Sequence, residues 1–81
     1  MQILCVDDDI ISIKIYENVL LQNGFQKNEI SLAKNADEAL NLIHTYHFDI
    51  LITDLIMPDM SGLELLKETK LHSPETEVIV A

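Results

Sequence analysis

The stretch DILITDLIMPDMSG, residues 49–62, contains an apolar run that ends close to a carboxylate. Ile50–Ile52 are typical of a buried strand, and Asp54 follows them after a single threonine. Pro58 and Gly62 then indicate a loop and the start of another element. An ionised carboxylate is costly to take out of water unless a cation pairs with it. We therefore expect the strand to deliver Asp54 to the rim of a sheet, where a cation or a reaction can use it.

The first apolar segment of the chain ends in the same way. Gln2–Val6 is short and apolar, and the aspartates Asp7–Asp9 follow it directly. Strand and helix signals then alternate along the chain. The predicted strands are Gln2–Val6, Glu29–Ala33, Asp49–Thr53 and Thr76–Ala81. The predicted helices are Ile10–Asn23, a segment capped by Asn35 with Glu38 at the capping-box position, and a segment that begins at Ser61 and Glu64 and ends near His72.

This alternation predicts one α/β domain over residues 1–81. Strands joined by helices are expected to run parallel, with helices on both faces of the sheet. Right-handed crossovers then favour the doubly wound strand order 2-1-3-4, with the first helix opposite the other two. In the first helix the apolar residues have the spacing of a helix face: Ile11, Ile15 and Val19, with Tyr16 and Leu20 beside them.

The carboxyl ends of the first and third strands meet at the point where the strand order reverses, which is where open α/β sheets bind ligands. Asp7–Asp9 and Asp54 are therefore expected to converge on one crevice. Carboxylates without histidine or cysteine nearby favour a hard cation, Mg²⁺ before Zn²⁺. A Mg²⁺ with open positions can accept a phosphoryl group, and the more accessible Asp54 can then act as the nucleophile. The alternative is that Asp7–Asp9 only cap the first helix or lie in a solvated loop.

Composition excludes several classes of function. The chain has 14 acidic and 5 basic residues, no arginine, and a formal net charge of −9. This charge disfavours binding to nucleic acid and to anionic membranes, and the apolar runs are too short to cross a bilayer. The one cysteine, Cys5, cannot form an internal disulfide, so we expect a cytoplasmic location.

The segments ILCVDDD, residues 3–9, and DLIMPDMSG, residues 54–62, together resemble the receiver domain of two-component response regulators, such as the chemotaxis regulators. The resemblance implies a flavodoxin-like fold with the strand order 2-1-3-4-5. It also implies that Asp54 accepts a phosphoryl group from a histidine kinase or phosphotransfer protein. A receiver catalyses only its own phosphorylation and dephosphorylation, so we expect a signalling phosphoacceptor and not an enzyme.

The same resemblance assigns roles to individual positions. Asp8 would bind Mg²⁺ directly, Asp7 would act largely through water, and the backbone carbonyl of Ile56 would complete the protein ligands. Pro58 and Gly62 would shape the pocket.

The chain departs from the family pattern at its end. The Ser or Thr that follows the fourth strand and the Lys that follows the fifth are both absent from these 81 residues, and we expect the fourth helix, fifth strand and fifth helix to be absent too. Val78–Val80 would then form an exposed apolar edge, which invites pairing with another chain. We therefore expect a homo-oligomer or a strand-swapped dimer.

Two alternatives to a phosphoacceptor stay open at this point. One is a receiver remnant that is not phosphorylated and works as a self-associating interaction module. The other is a phosphatase of the haloacid-dehalogenase type, since Asp7 and Asp9 have the spacing of its signature. Ile11 stands where that signature has Thr or Val, and the chain is short for such an enzyme.

Overall fold

The computed structural model describes residues 1–54 and 62–80. The described strands are β1 (Ile3–Val6), β2 (Ile30–Ala33), β3 (Ile50–Thr53) and β4 (Glu77–Val80). The helices are α1 (Ile10–Gln22), α2 (Ala36–Thr45) and α3 (Gly62–His72), with a short 3-10 turn at Lys27–Glu29 before β2. The predicted alternation of strands and helices is confirmed.

The four strands form one parallel sheet in the order β2-β1-β3-β4, as the crossover argument predicted. Strand β1 pairs with both β2 and β3, and β4 pairs with β3. In the pairing of β1 with β3, Val6 lies beside Thr53. The two chain segments that leave these strands therefore start next to each other.

One face of the sheet packs against α2 and α3 and forms the main core. Alternate residues of β1 and β3, among them Leu4, Val6 and Leu51, are fully buried there. Ala39 and Ile43 of α2 and Leu65 of α3 cover them. At about 25 cal/mol per Å² of apolar surface, this burial is the main source of the fold's stability.

Helix α1 packs on the opposite face, and the predicted apolar face is wrong in part. Ile13 is its buried residue, with Tyr16 and Leu20 half-buried. Ile11, Ile15 and Val19 are instead 70%, 54% and 51% exposed. Because α1 is apolar on more than one side, the spacing of its apolar residues fits two faces, and only the contact with the sheet selects between them.

The helix ends follow the local sequence. Gly24, at a φ of +95°, lets the chain turn after α1, so that the N–H groups of Gly24 and Phe25 donate to the carbonyls of Leu21 and Leu20. The predicted cap of α2 is confirmed, since the Asn35 side chain accepts the Glu38 N–H at 2.8 Å. The predicted cap at Ser61 lies outside the described residues.

Strand β4 lies at an edge of the described sheet. Its Ile79 and Val80 are about half exposed, at 50% and 48%, while Val78 packs against the core. Among the described residues, none of the helices is both long and apolar enough to cross a bilayer.

Candidate functional site

The sheet brings two distant carboxylates to the same place. Asp7 follows Val6 at the end of β1, and Asp54 follows Thr53 at the end of β3. Because Val6 and Thr53 are register partners, the next residue on each strand emerges at the same rim. The predicted convergence is confirmed for Asp7, Asp8 and Asp54, whereas Asp9, which was expected to join them, is outside the group.

A three-carboxylate cluster forms at this rim from Asp7, Asp8 and Asp54. One oxygen from each residue lies within 4.8 Å of the corresponding oxygens of the other two. Exposure rises across the cluster, from the buried Asp7 through the half-buried Asp54 to the exposed Asp8. Three carboxylate oxygens this close repel one another, and a divalent cation between them would remove that repulsion. The donor set therefore fits Mg²⁺ better than a metal that prefers nitrogen or sulfur ligands.

Asp7 is held by two hydrogen bonds from the chain itself. Its side chain is only 4% exposed. Its Oδ1 accepts the backbone N–H of Asp9 at 2.9 Å, and its Oδ2 accepts the hydroxyl of Tyr16 at 3.2 Å. Since burial of a charge without partners is costly, these two donors make a carboxylate tolerable at this position.

The third aspartate of the triplet has a different role. Asp9 is the N-cap of α1, where its Oδ1 accepts the N–H of Ile11 at 2.9 Å and its Oδ2 accepts the Ser12 hydroxyl at 3.3 Å. The capping interpretation is therefore correct for Asp9, while Asp7 and Asp8 join Asp54 in the cluster.

Tyr16 is a site residue that the sequence analysis did not identify. It lies on the sheet side of α1, which brings its hydroxyl to the Asp7 carboxylate. Burial raises the pKa of Tyr16 above 10.0, and the hydrogen bond to Asp7 and the negative charges of Asp7 and Asp54 raise it further. The signal that could have indicated it is a phenol hydroxyl about two turns into the helix that follows the aspartates.

Cys5 has no part in this chemistry. Burial, with the nearby Glu17 carboxylate, raises the pKa of the Cys5 thiol to about 11. Its side chain is fully buried in β1, so it stays a protonated, small core residue.

Two of the predicted site residues cannot be placed. Ile56, the expected carbonyl ligand, and Pro58 lie outside the described residues. Gly62 is described as the buried first residue of α3.

Comparison with known proteins shows to which family this chain belongs. The family model of the response regulator receiver domain matches residues 3–81. The chain belongs to this family. Phosphorylation, binding of Mg²⁺ at an acidic pocket and interaction with histidine kinases or phosphotransfer proteins are general properties of this family.

Individual relatives agree with this identification. The receiver described here is 37% identical over 70 residues to the chemotaxis protein CheY of Pseudomonas aeruginosa, covering 86% of this chain and 55% of that protein. It is 32% identical to a CheY-like receiver domain protein of Methanospirillum hungatei, with a TM-score of 0.90. That match covers 98% of this chain and 61% of the other.

A third relative was crystallised with a metal complex. The response regulator protein TrrA of Thermotoga maritima, solved in complex with Mg²⁺-BeF, is 32% identical to this receiver with a TM-score of 0.89. The match covers 99% of this chain and 68% of TrrA. The receiver spans 34% and 17% of the first two curated relatives, so it corresponds to a part of those proteins.

Proposed function

We propose that this receiver accepts a phosphoryl group on Asp54 from the phosphohistidine of a kinase or phosphotransfer protein. The observation that supports this most strongly is the cluster of Asp7, Asp8 and Asp54, which have carboxylate oxygens within 4.8 Å of one another. Asp54 combines a position at the end of β3 with partial exposure, so a donor can approach it. The expected compartment is the cytoplasm, where histidine kinases present their phosphohistidines.

In the proposed transfer, a carboxylate oxygen of Asp54 forms a bond to phosphorus as the bond from phosphorus to the imidazole nitrogen breaks. The electron pair of the broken bond stays on the imidazole, and Asp54 becomes an acyl phosphate. Mg²⁺, when bound, supplies positive charge for the phosphoryl oxygens. Asp8 and Asp54 would hold it directly and Asp7 would act through water.

The residues of the receiver have positioning roles in this transfer. The N–H of Asp9 and the hydroxyl of Tyr16 hold Asp7. Asp9 begins α1 and so fixes the loop that carries Asp8. The protein contributes only to its own phosphorylation and dephosphorylation, which makes it a phosphoacceptor and not an enzyme with an external substrate.

The test is incubation with Mg²⁺ and a small phosphodonor, followed by mass measurement of the intact chain. The parent chain should gain one phosphoryl group, and Asp54→Asn should gain none. Asp37→Asn is the matched control, because Asp37 is an exposed aspartate in the first turn of α2 and is outside the cluster. A parent chain that stays unmodified would contradict the proposal, whereas continuous turnover that needs Asp7 would support the phosphatase alternative.

Self-association is the second candidate function, and exposed apolar surface favours it. Ile11, Ile15 and Val19 form an exposed stripe along α1, and Ile79 and Val80 are half exposed on β4. In the described sheet β4 is an edge strand, and apolar edge strands readily pair with another chain. We propose that a second copy of the chain covers this surface.

Analytical ultracentrifugation over a range of concentrations tests this second candidate. The parent chain should form dimers or larger species, and the paired substitution Ile15→Ser with Ile79→Ser should shift it to monomer. The control is Leu71→Ser, because Leu71 is an exposed apolar residue, at 81%, that lies on α3 and belongs to neither α1 nor β4. A monomeric parent chain at all concentrations would exclude self-association.

A further inference from the structure

The hydroxyl of Tyr16 links helix α1 to the acidic cluster. It donates to Oδ2 of Asp7 at 3.2 Å, while Oδ1 of the same carboxylate accepts the backbone N–H of Asp9 at 2.9 Å. One donor thus comes from the loop after β1 and the other from the middle of α1. Two donors on opposite oxygens fix both the rotation and the tilt of the carboxylate plane.

We propose that Tyr16 is a positioning residue of the Mg²⁺ site, which holds Asp7 in the orientation that the bound ion requires. This inference rests on the proposed function. Partners of metal-binding carboxylates contribute to affinity because they fix the orientation of the ligand before the metal arrives. Asp7 particularly depends on such partners, since at 4% exposure it has little access to bulk water.

A hydrogen bond to a carboxylate can also weaken metal binding, because the donor withdraws negative charge from the oxygen. Two observations make this opposing effect the smaller one. The distance of 3.2 Å is beyond the usual 2.5–3.0 Å for a hydroxyl donor, so the withdrawal of charge is small. The second lone pair of Oδ2 also stays available for a water on the ion. Loss of the hydroxyl should therefore weaken Mg²⁺ binding.

The substitution that tests this is Tyr16→Phe, which removes the hydroxyl and keeps the ring that packs on the sheet. Calorimetric titration with MgCl₂ should show an affinity about tenfold lower than that of the parent chain, at the lower end of the range for such partners. Tyr46→Phe is the matched control, because Tyr46 is 62% exposed and lies before β3, at the other end of the sheet. Its affinity should equal that of the parent chain.

A double-mutant cycle separates positioning from a general loss of stability. If Tyr16 acts through Asp7, then Tyr16→Phe should have no further effect on Mg²⁺ affinity in an Asp7→Asn background. Equal tenfold losses in both backgrounds would overturn the inference, because the effect would then not pass through Asp7. An unchanged or higher affinity in Tyr16→Phe alone would overturn it as well.

A second measurement needs no change at Tyr16. The chain has no tryptophan and two tyrosines, so in Tyr46→Phe all tyrosine emission comes from Tyr16. Saturating Mg²⁺ should change that emission, since the ion alters the charge of the carboxylate that the hydroxyl contacts. No change of emission while calorimetry shows binding would overturn this inference and leave the proposed function intact. No Mg²⁺ binding by the parent chain would overturn both.

Discussion

The two ends of the sheet differ in what lies next to their carboxylates. At the carboxyl ends of the strands, Asp7, Asp8 and Asp54 approach one another to within 4.8 Å. At the amino ends, carboxylates instead lie beside the amino terminus or a histidine ring. The amino terminus of Met1 is 3.1 Å from Glu29, and His47 lies between Asp49 at 3.7 Å and Glu75 at 3.5 Å.

The amino end is also where hydrogen bonds join successive segments of the chain. The Asp49 carboxylate accepts the N–H of Gln2 at 2.8 Å. The buried hydroxyl of Thr76 donates to the carbonyl of Phe48 at 2.7 Å and bonds the hydroxyl of Ser73 at 2.8 Å. One end of the sheet thus fixes the strands, while the other concentrates repulsive charge. We infer that the hydrogen bonds at the amino ends of the strands stabilise the sheet enough to tolerate the repulsive carboxylate cluster at the carboxyl ends, which would favour a bound cation.

The largest effect should come from the amino end. Thr76→Val keeps the shape of the side chain but leaves the buried carbonyl of Phe48 without this donor. The loss should lower the free energy of unfolding by about 1–3 kcal/mol, as for other buried polar groups deprived of a partner. Urea unfolding followed by circular dichroism measures it.

Thr45→Val is the control, because the Thr45 hydroxyl donates to the carbonyl of Asn41 at an exposed site on α2. Its effect should stay within about 0.5 kcal/mol. Mg²⁺ affinity should be the same in both folded variants. A large change of affinity in Thr76→Val would contradict the separation of the two ends.

The predictable part of this molecule is the part fixed by short patterns. Asp7 and Asp54 could be placed together because each follows an apolar strand, and parallel strands bring like ends to one rim. The face of α1 could not be predicted, because Ile11, Ile15 and Val19 also have a spacing typical of one helix face, although other residues face the sheet. Packing against the sheet decides such a case, and no local pattern encodes it.

At the carboxyl ends of the strands, the loss of a charge should raise the free energy of unfolding, whereas Thr76→Val at the amino ends should lower it. Asp8→Asn removes one negative charge from the cluster and should raise the free energy of unfolding without metal by about 1 kcal/mol, the size of a repulsion at 4 Å in a solvated site. The same change should lower Mg²⁺ affinity at least tenfold if Asp8 is the direct ligand that we propose. Urea unfolding without metal and calorimetric titration measure the two effects.

Glu68→Gln is the control for both measurements, the free energy of unfolding without metal and the Mg²⁺ affinity. Glu68 is an exposed carboxylate on α3 outside the cluster. It should change neither quantity appreciably. If Asp8→Asn instead destabilises the metal-free chain, the cluster does not strain the fold, and the contrast between the two ends loses its physical basis.

The partners and individual roles of the site's carboxylates were harder to predict than the position of the carboxylates themselves, and Tyr16 shows why. The hydroxyl of Tyr16 reaches Asp7 only because α1 turns that side toward the sheet, and the sequence pattern was compatible with two orientations. Asp9 likewise stood in a row of three equal candidates until the backbone made it the N-cap of α1. A carboxylate's role in this triplet depends on the direction of its side chain, which residue type alone does not give.

The smallest expected effect is a pH dependence at the amino end. The N–H of Gln26 and then the amino terminus of Met1 lower the pKa of the Glu29 carboxyl from its ordinary value of 4.5. A lowered pKa in the folded chain means stability that is present above pH 4.5 and is lost as the pH falls through the folded value. Glu29→Gln should therefore unfold at a slightly lower temperature than the parent chain at pH 7.

The difference between the two melting temperatures should shrink toward zero as the pH falls below the folded pKa of Glu29, where the parent carboxyl is itself neutral. Thermal unfolding of both chains across this range measures the difference directly, and other titrating groups cancel because both chains contain them. The effect should be small, since the ion pair with Met1 is partly exposed and surface pairs contribute little. A difference that is constant across the whole range would show that Glu29 acts through its hydrogen-bonding shape and not through its charge. The pair of Glu29 and the Met1 amino terminus would then not be an example of charge compensation at the amino end.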